Sequence, residues 1–418
     1  MLDIRFIREN KSEVEKMLQK RGVKLDLDHV IEIDDERKKL IGEVESLRHT
    51  RKEVADKKDI KKGREIKEKL AKAEAALAAV EEELNEYLDK VPNMLDKSVP
   101  EGKDENDNVE IKRWGQTPKF DFKPLDHIEL GKRLDLIDFE RAAKVAGHKF
   151  YYLKNDAVLL EFALINYAFK TLLKEGFTPV RPPDLVRPEI ANGIGFQPRG
   201  PEAQIYNIES ENLSLIGTAE IPLGGYHAGE ILGEKALPLK YLGFSPCFRT
   251  EAGSYGRVSY GLYRVHEFDK AEMFIYCRPE ESEKMHQYIL SLEEKLFQGL
   301  EIPYRIVDIC AGDMGAAAAR KFDLEAWMPA REGGSFGEVT STSNTTDYQA
   351  RRLNIRYRKQ KADSSQQLEY VHTLNGTALA IGRTLIAILE NYQQKNGSVK
   401  IPRVLHEYLE KDTIQRPK

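Results

Sequence analysis

The segment Phe248-Arg249-Thr250-Glu251 sets a guanidinium and a carboxylate two residues apart. Alternate residues of a strand share a face, so Arg249 and Glu251 would point into one cavity. Gly253, Ser254, Gly256 and Gly261 read as a hairpin loop, and Arg264 returns on the partner strand with Phe268 behind it. An arginine for phosphate, a carboxylate for an exocyclic amine and a ring for stacking together describe a nucleoside triphosphate site. The same string also fits a surface hairpin with ordinary charges.

Two later segments supply chemistry of the same kind. In Phe336-Gly337-Glu338-Val339-Thr340-Ser341, Glu338 and Ser341 offer hard oxygen ligands beside a strand. Mg2+ takes one or two such protein ligands together with phosphate oxygens and water; a solvated strand end is the other reading. In Asn375 to Leu385, Gly376 and small residues are expected to open a helix with Arg383 about two turns in. An arginine on an otherwise apolar helix face is costly unless paired, so Arg383 points to an anion or a stacked base. The chain has neither a GxxxxGK[ST] string nor a strand-GxGxxG-helix unit.

These residues need a large scaffold, and 418 residues provide for two or more domains. The 41% hydrophobic and 32% charged content is enough for a sizeable core. Cys247, Cys277 and Cys310 follow no metal or disulfide spacing, which predicts reduced thiols and no zinc site. The start, Met1-Leu2-Asp3-Ile4-Arg5, has no secretory apolar core, its early acid argues against a transit peptide, and no apolar run approaches a membrane span. The expectation is a cytoplasmic protein.

Between about Val30 and Leu88 the chain is nearly free of Gly and Pro, and apolar residues recur at heptad spacing. Ile66, Leu70, Ala73, Leu77, Val80, Leu84 and Leu88 form one stripe; Val30, Ile33, Leu40, Val44, Leu47 and Val54 form another, interrupted by Arg37 and Arg51. A stripe this narrow buries itself only against another helix. The short break at Lys57 to Gly63 predicts an antiparallel pair, an arm roughly 45 Å long at 1.5 Å per residue. Its tip is basic, with Arg51, Lys57, Lys58, Lys61, Lys62 and Arg64, while Glu81, Glu82, Glu83, Glu86 and Asp89 reverse the sign at its base. A cationic tip suits a polyanion backbone; a solvated coiled coil or a protein-binding arm would carry similar charge.

Pro92 to Asn108 reads as a linker, dividing residues 1–108, with the hairpin at about 28–91, from a body at 109–418. In the body, Asn155 to Lys174 reads as a helix, and Phe177 to Pro183 is extended but too proline-rich for a central strand. Strands are expected at 304–309, 322–327, 337–343 and 368–374. The pattern predicts an α+β body built on an antiparallel sheet flanked by helices, preceded by the helical arm.

With these residues assembled, the chain resembles the seryl-tRNA synthetases, a family of class II aminoacyl-tRNA synthetases, nearly end to end. Met1 to Arg5, Arg8-Glu9-Asn10 and the arm resemble the family's N-terminal domain. Gly176 to Pro183 resembles motif 1, Phe248 to Phe268 motif 2, and Gly376 to Arg383 motif 3. Thr218-Ala219-Glu220 and Ala311 to Gly315 are also family-like. The resemblance implies an ATP-dependent serine–tRNA ligase that forms seryl-adenylate and charges tRNA(Ser), with tRNA(Sec) a further substrate that it allows. It implies a homodimer and Mg2+ bound with ATP.

By the same resemblance, Arg249 would clamp the α-phosphate and the serine carboxylate, and Glu251 would accept from the adenine amine. Phe268 and Arg383 would cover the two faces of the ring, with Arg264 near the γ-phosphate. Thr250, Val265, Val339 and Thr340 would complete the ATP site, and Glu338 and Ser341 would hold Mg2+. Thr218, Ala219, Glu220, Glu272 and Thr377, with Arg249, would form the serine pocket. The basic tip, Arg51, Lys57, Lys58, Lys61, Lys62 and Arg64, would bind tRNA. Gly217, Glu267 and Thr342 depart from the usual proline, glutamine and cysteine, and none of these removes a proposed ligand.

Overall fold

The computed structural model describes residues 1–57, 59–196, 204–251, 261–360 and 366–417. The chain forms two units, Met1–Leu95 and Asp96–Lys418. Within the first, helix α1 (Leu27–Asp56) and helix α2 (Ile60–Lys90) form the hairpin. Asp26 and Asp59 start them, their carboxylates accepting from the backbone N–H groups of Asp28 and Lys62 at 2.9 and 3.0 Å. The turn is shorter than the expected break, because Asp59 caps the second helix and draws Lys61, Lys62 and Gly63 into it.

Both apolar stripes face inward. Val44, Leu70 and Ala73 pack with Leu47 and Leu77, while Val30, Ile33, Leu84 and Leu88 join Ile7, Val14 and Met17 of the two preceding short helices. Arg37 interrupts its stripe for a reason: with Arg8 and Lys38 it neutralises Asp34, which is wholly buried. A buried carboxylate requires such partners.

The second unit begins thirteen residues before the boundary expected at 109 (109 − 96 = 13). The reason is hydrogen bonding: Asp96 N–H donates to the Ala319 carbonyl at 2.9 Å, and Ala311 and Gly312 N–H groups donate to Pro100 and Gly102 at 3.0 Å. The linker from Asp96 onward thus belongs to the body, while Met94 and Leu95 pack with the first unit.

Eight strands form the main sheet: β1 (Val109–Trp114), β2 (Thr178–Val180), β3 (Leu239–Phe248), β4 (Glu267–Cys277), β5 (Tyr304–Asp308), β6 (Arg320–Met328), β7 (Ser335–Asn344) and β8 (His372–Ala380). Their order is β1-β5-β6-β7-β8-β4-β3-β2, antiparallel throughout except at the proline-bearing edge strand β2. Helices α3 (Asp156–Leu173), α4 (Ser282–Gly299) and α5 (Ile381–Tyr392) cover one face, with Leu160, Leu164, Ile289, Phe297, Leu385 and Ile388 against Met273, Ile275, Leu324 and Leu379. Ile194, Ile216, Ile221 and Tyr357 pack on Phe274 and Tyr276 from the other side. Strand β4 is therefore buried on both faces, from Lys270 to Cys277. No helix among the described residues is long and apolar enough to cross a membrane.

Two expectations fail here. The segment 368–374 is not one strand: it is shared between a small sheet (Gln366–Tyr370) and β8. Residues 375–380 continue β8 instead of opening a helix, because they pair with β4 along one edge, and Asn375 and Gly376 pair with β7 along the other. The small residues serve strand packing; a Cβ on Gly376 would strike Ile289 of α4 and stand 2.8 Å from Glu293 Oε1. Gly376→Ala should destabilise the second unit by about 2 kcal/mol through overpacking, read as a lowered melting temperature; an unchanged melting temperature would contradict this packing.

Candidate active site

A cavity of about 640 Å³ opens over the middle strands of the sheet. Arg249, Glu251, Arg264, Val265, Phe268, Glu338, Val339, Thr340, Ser341 and Arg383 line it, together with Glu220, Glu272 and Thr377. Thr250, Thr218 and Ala219 do not. Thr250 is held through its backbone to Gln204, while Thr218 and Ala219 are buried behind the wall, where the Thr218 hydroxyl accepts from Glu220 N–H at 3.1 Å.

Arg249 lies one residue beyond the end of β3, yet its pairing with the returning chain continues. Its N–H donates to the His266 carbonyl and its own carbonyl accepts from His266 Nδ1, both at 2.9 Å. The guanidinium sits over the Phe268 ring at 5.3 Å, and its Nε donates to the Gly217 carbonyl at 3.1 Å. Glu251 also lies past the strand, at φ 48°, and faces Arg264 in an ion pair of 3.4 Å. The loop containing Gly253, Ser254 and Gly256 lies outside the described residues, as does Lys58.

Because α5 starts at Ile381, Arg383 stands in its first turn and not two turns in. It meets Glu338 Oε1 at 3.1 Å and lies over the Tyr263 ring at 4.6 Å. Burial would raise the Glu338 pKa, but Arg383, Lys321 and Arg249 outweigh it and bring it down to about 2. Glu338 therefore stays ionised, and with the Ser341 hydroxyl it forms a hard-oxygen pair. Asp323 stands opposite Ser341 on β6, and its buried Oδ1 has no hydrogen-bond partner among the described residues. This donor set fits Mg2+, which prefers oxygen ligands.

The floor of the cavity holds two carboxylates. Glu272 pairs with Lys270 at 2.5 Å and accepts from the Thr377 hydroxyl at 3.3 Å. Glu220 accepts from Gln349 and Asn375 side-chain amides at 2.8 and 2.9 Å. Burial, and then the charge of Glu272, push its pKa up to about 7. Sequence reasoning missed Lys270, Asn375 and Gln349. Lys270 was readable, since it stands two residues before Glu272 on one strand face; the amides became visible only through strand pairing.

A support behind the site was also missed. Glu390 of α5 accepts from His127 Nδ1 at 3.1 Å, and His127 Nε2 accepts from Leu262 N–H at 3.2 Å. The neutral histidine tautomer this requires ties the segment carrying Tyr263 and Arg264 to the helix carrying Arg383. Beneath the floor, the wholly buried Glu293 accepts from the Thr340 hydroxyl at 2.7 Å.

The basic arm residues lie in the first unit. Arg51, Lys57, Lys61, Lys62 and Arg64 are all exposed.

Residues 1–95 match the model of the seryl-tRNA synthetase N-terminal domain, and residues 206–392 match that of the class II tRNA synthetase core domain (G, H, P, S and T). A serine–tRNA ligase of Dictyoglomus thermophilum is 57% identical, over 98% of each chain, and one of Treponema denticola is 51% identical, over 99% of this chain and all of that one. Among solved structures, a seryl-tRNA synthetase of Pyrococcus horikoshii complexed with ATP superposes with a TM-score of 0.89 at 44% identity, over the whole of both chains. A cytoplasmic serine–tRNA ligase of Naegleria fowleri in complex with AMP gives 0.86 at 33% identity, over all of this chain and 99% of that one. By its sequence and its fold, this chain belongs to the seryl-tRNA synthetase family.

Proposed function

We propose that the cavity activates L-serine with ATP and transfers it to the 3′ end of tRNA(Ser), with tRNA(Sec) a further acceptor. The observation that carries this reading is the meeting of Arg249, Phe268, Glu338 and Arg383 around one cavity with Glu220, Glu272 and Thr377 on its floor. Phe268 offers a ring face to adenine, and Arg383 lines the same cavity. Glu251 takes the adenine amine once Arg264 leaves it for the γ-phosphate. Serine's ammonium is met by Glu220 and Glu272, and its hydroxyl by Thr377. A pocket that pairs this hydroxyl rejects alanine by leaving its own polar groups unsatisfied.

The serine carboxylate attacks the α-phosphorus in line; a P–O bond forms to serine and the bond to pyrophosphate breaks, leaving seryl-adenylate. The terminal ribose hydroxyl of tRNA then attacks the activated carbonyl, and AMP departs. No side chain serves as nucleophile: alignment and the guanidinium of Arg249 lower the barrier. Glu338 and Ser341 would hold Mg2+, which would supply positive charge to the phosphates. The basic tip of the arm engages tRNA backbone phosphates. Leu159 and Phe162, exposed on α3, suit a second copy of the chain, and a homodimer in the cytoplasm completes the reading.

Arg249→Ala should reduce serine-dependent ATP–pyrophosphate exchange about a thousandfold; retention of most activity would refute its role. Deleting residues 35–84 should spare exchange and abolish tRNA charging, and equal loss of both would contradict separate duties for arm and body. Glu220 is mostly protonated below pH 7 and ionised above it. The KM for serine should therefore fall by up to about tenfold between about pH 6 and 8. Glu220→Gln should flatten that profile; a parallel slope in the variant would exclude Glu220 as the titrating group.

A further inference from the structure

Gln349 is not among the residues lining the cavity, yet its amide reaches both the wall and the floor. It lies in a short helix, Tyr348–Leu353, and is wholly buried. Its amide nitrogen donates to the Ile194 carbonyl at 3.1 Å and to Glu220 Oε1 at 2.8 Å. Its amide oxygen accepts from the Thr373 hydroxyl of β8 at 2.8 Å and stands 3.3 Å from the hydroxyl of Thr345, just beyond β7. Ile194 and Glu220 both line the cavity, so one buried side chain joins two of its surfaces.

These partners leave the amide one orientation. A backbone carbonyl can only accept, so the Ile194 oxygen requires the nitrogen on its side. Turned over, the amide would set its own oxygen against both that carbonyl and Glu220. On the opposite side each threonine hydroxyl has a single proton. Thr373 directs its proton to Gln349, so in the 2.6 Å contact between the Thr373 and Thr345 hydroxyls Thr345 is the donor. The bonds thus run in one direction, from Thr345 through Thr373 and Gln349 to Glu220, and each polarises the next.

Glu220 therefore meets a fixed N–H whether or not it carries a proton. The charged groups that face it are Glu272, which opposes its ionisation, and Lys270 and Arg249, which favour it. Asn375 Nδ2 reaches the same oxygen at 2.9 Å, but Asn375 lines the cavity, where a ligand competes for its amide. Both amides converge on Oε1, which leaves Oε2 for a ligand.

We propose that Gln349 is a positioning residue for serine binding: its locked amide holds Glu220 Oε1 and favours the charged carboxylate, leaving Oε2 to meet the serine ammonium. This rests on the serine-pocket reading given above. A donor permanently aimed at a carboxylate stabilises the ionised form over the protonated one. Gln349 acts through Glu220 and not by touching the substrate. Its contribution is greatest near neutral pH, where burial has otherwise brought Glu220 to the edge of protonation.

The test is the pH profile of the KM for serine in ATP–pyrophosphate exchange by the full-length chain. Gln349→Met removes the donor at similar volume, so Glu220 ionises at higher pH. The fall in KM should move up by about one pH unit, which raises KM about fivefold at pH 7. The ratio of variant to wild-type KM should return toward one by about pH 9, with kcat and the KM for ATP changed less than about twofold. Thr373→Val, which removes the hydroxyl that orders the amide oxygen, should move the profile the same way by a smaller amount, and Thr373→Ser should leave it in place. An unmoved profile in Gln349→Met overturns the proposal. So does a KM raised by the same factor at every pH, because the glutamine would then only fill space. Should Gln349→Met lose its cooperative melting transition, Thr373→Val decides by the same criteria. Glu220→Gln separates this proposal from the reading beneath it. A flat profile there with an unmoved one in Gln349→Met overturns the positioning role alone, whereas a wild-type slope in Glu220→Gln overturns the serine-pocket reading.

Discussion

The constraint on which the site depends is the pairing of charge in a confined space. Glu272 is met by Lys270, Glu338 by Arg383 and Glu251 by Arg264. Removing carboxylates from water without such partners would cost several kcal/mol each. The pairs therefore keep the cavity open without substrate, and they also set out its chemistry in advance. A nucleotide and an amino acid bring the same kinds of charge, so ligand groups exchange with protein groups at nearly constant electrostatic balance. Glu220 is the exception, with neutral amides where these carboxylates have cations, and its own protonation lies near neutrality.

The scaffold meets this demand by burying strand β4 on both faces. A strand so enclosed is held on both faces, and its unbroken pairing with β3 carries Phe268, Lys270 and Glu272 at fixed intervals. Strand β8 fixes Thr377 against it, and α5 follows directly, so Arg383 is positioned within a few residues of the floor. The His127 link to Glu390 and Leu262 adds a second tether between that helix and the segment bearing Arg264.

Much of this was legible in the chain because its signals are local. Heptad spacing marked both arm helices, and charge type and spacing marked Arg249, Glu251, Glu338 and Arg383. What was not legible depends on contacts distant in sequence. Gly376 to Ala380 look like a helix opening when read alone, since small residues suit either state; only pairing with β4, joined at Gly376 by β7, makes them strand. The break between the units falls early in the stretch read as linker because residues 96–102 hydrogen-bond to residues some two hundred positions away. Asn375 and Gln349 carry no charge to draw notice, and their importance arises from converging on Glu220.

Gly217 contributes to the site a carbonyl oxygen that receives the Arg249 side chain. Main-chain oxygens are common to all twenty amino acids. What limits the position is space and not the anchor: a Cβ there would stand 3.0 Å from Ile205 Cγ2, so a side chain is admitted only as far as that neighbour gives way.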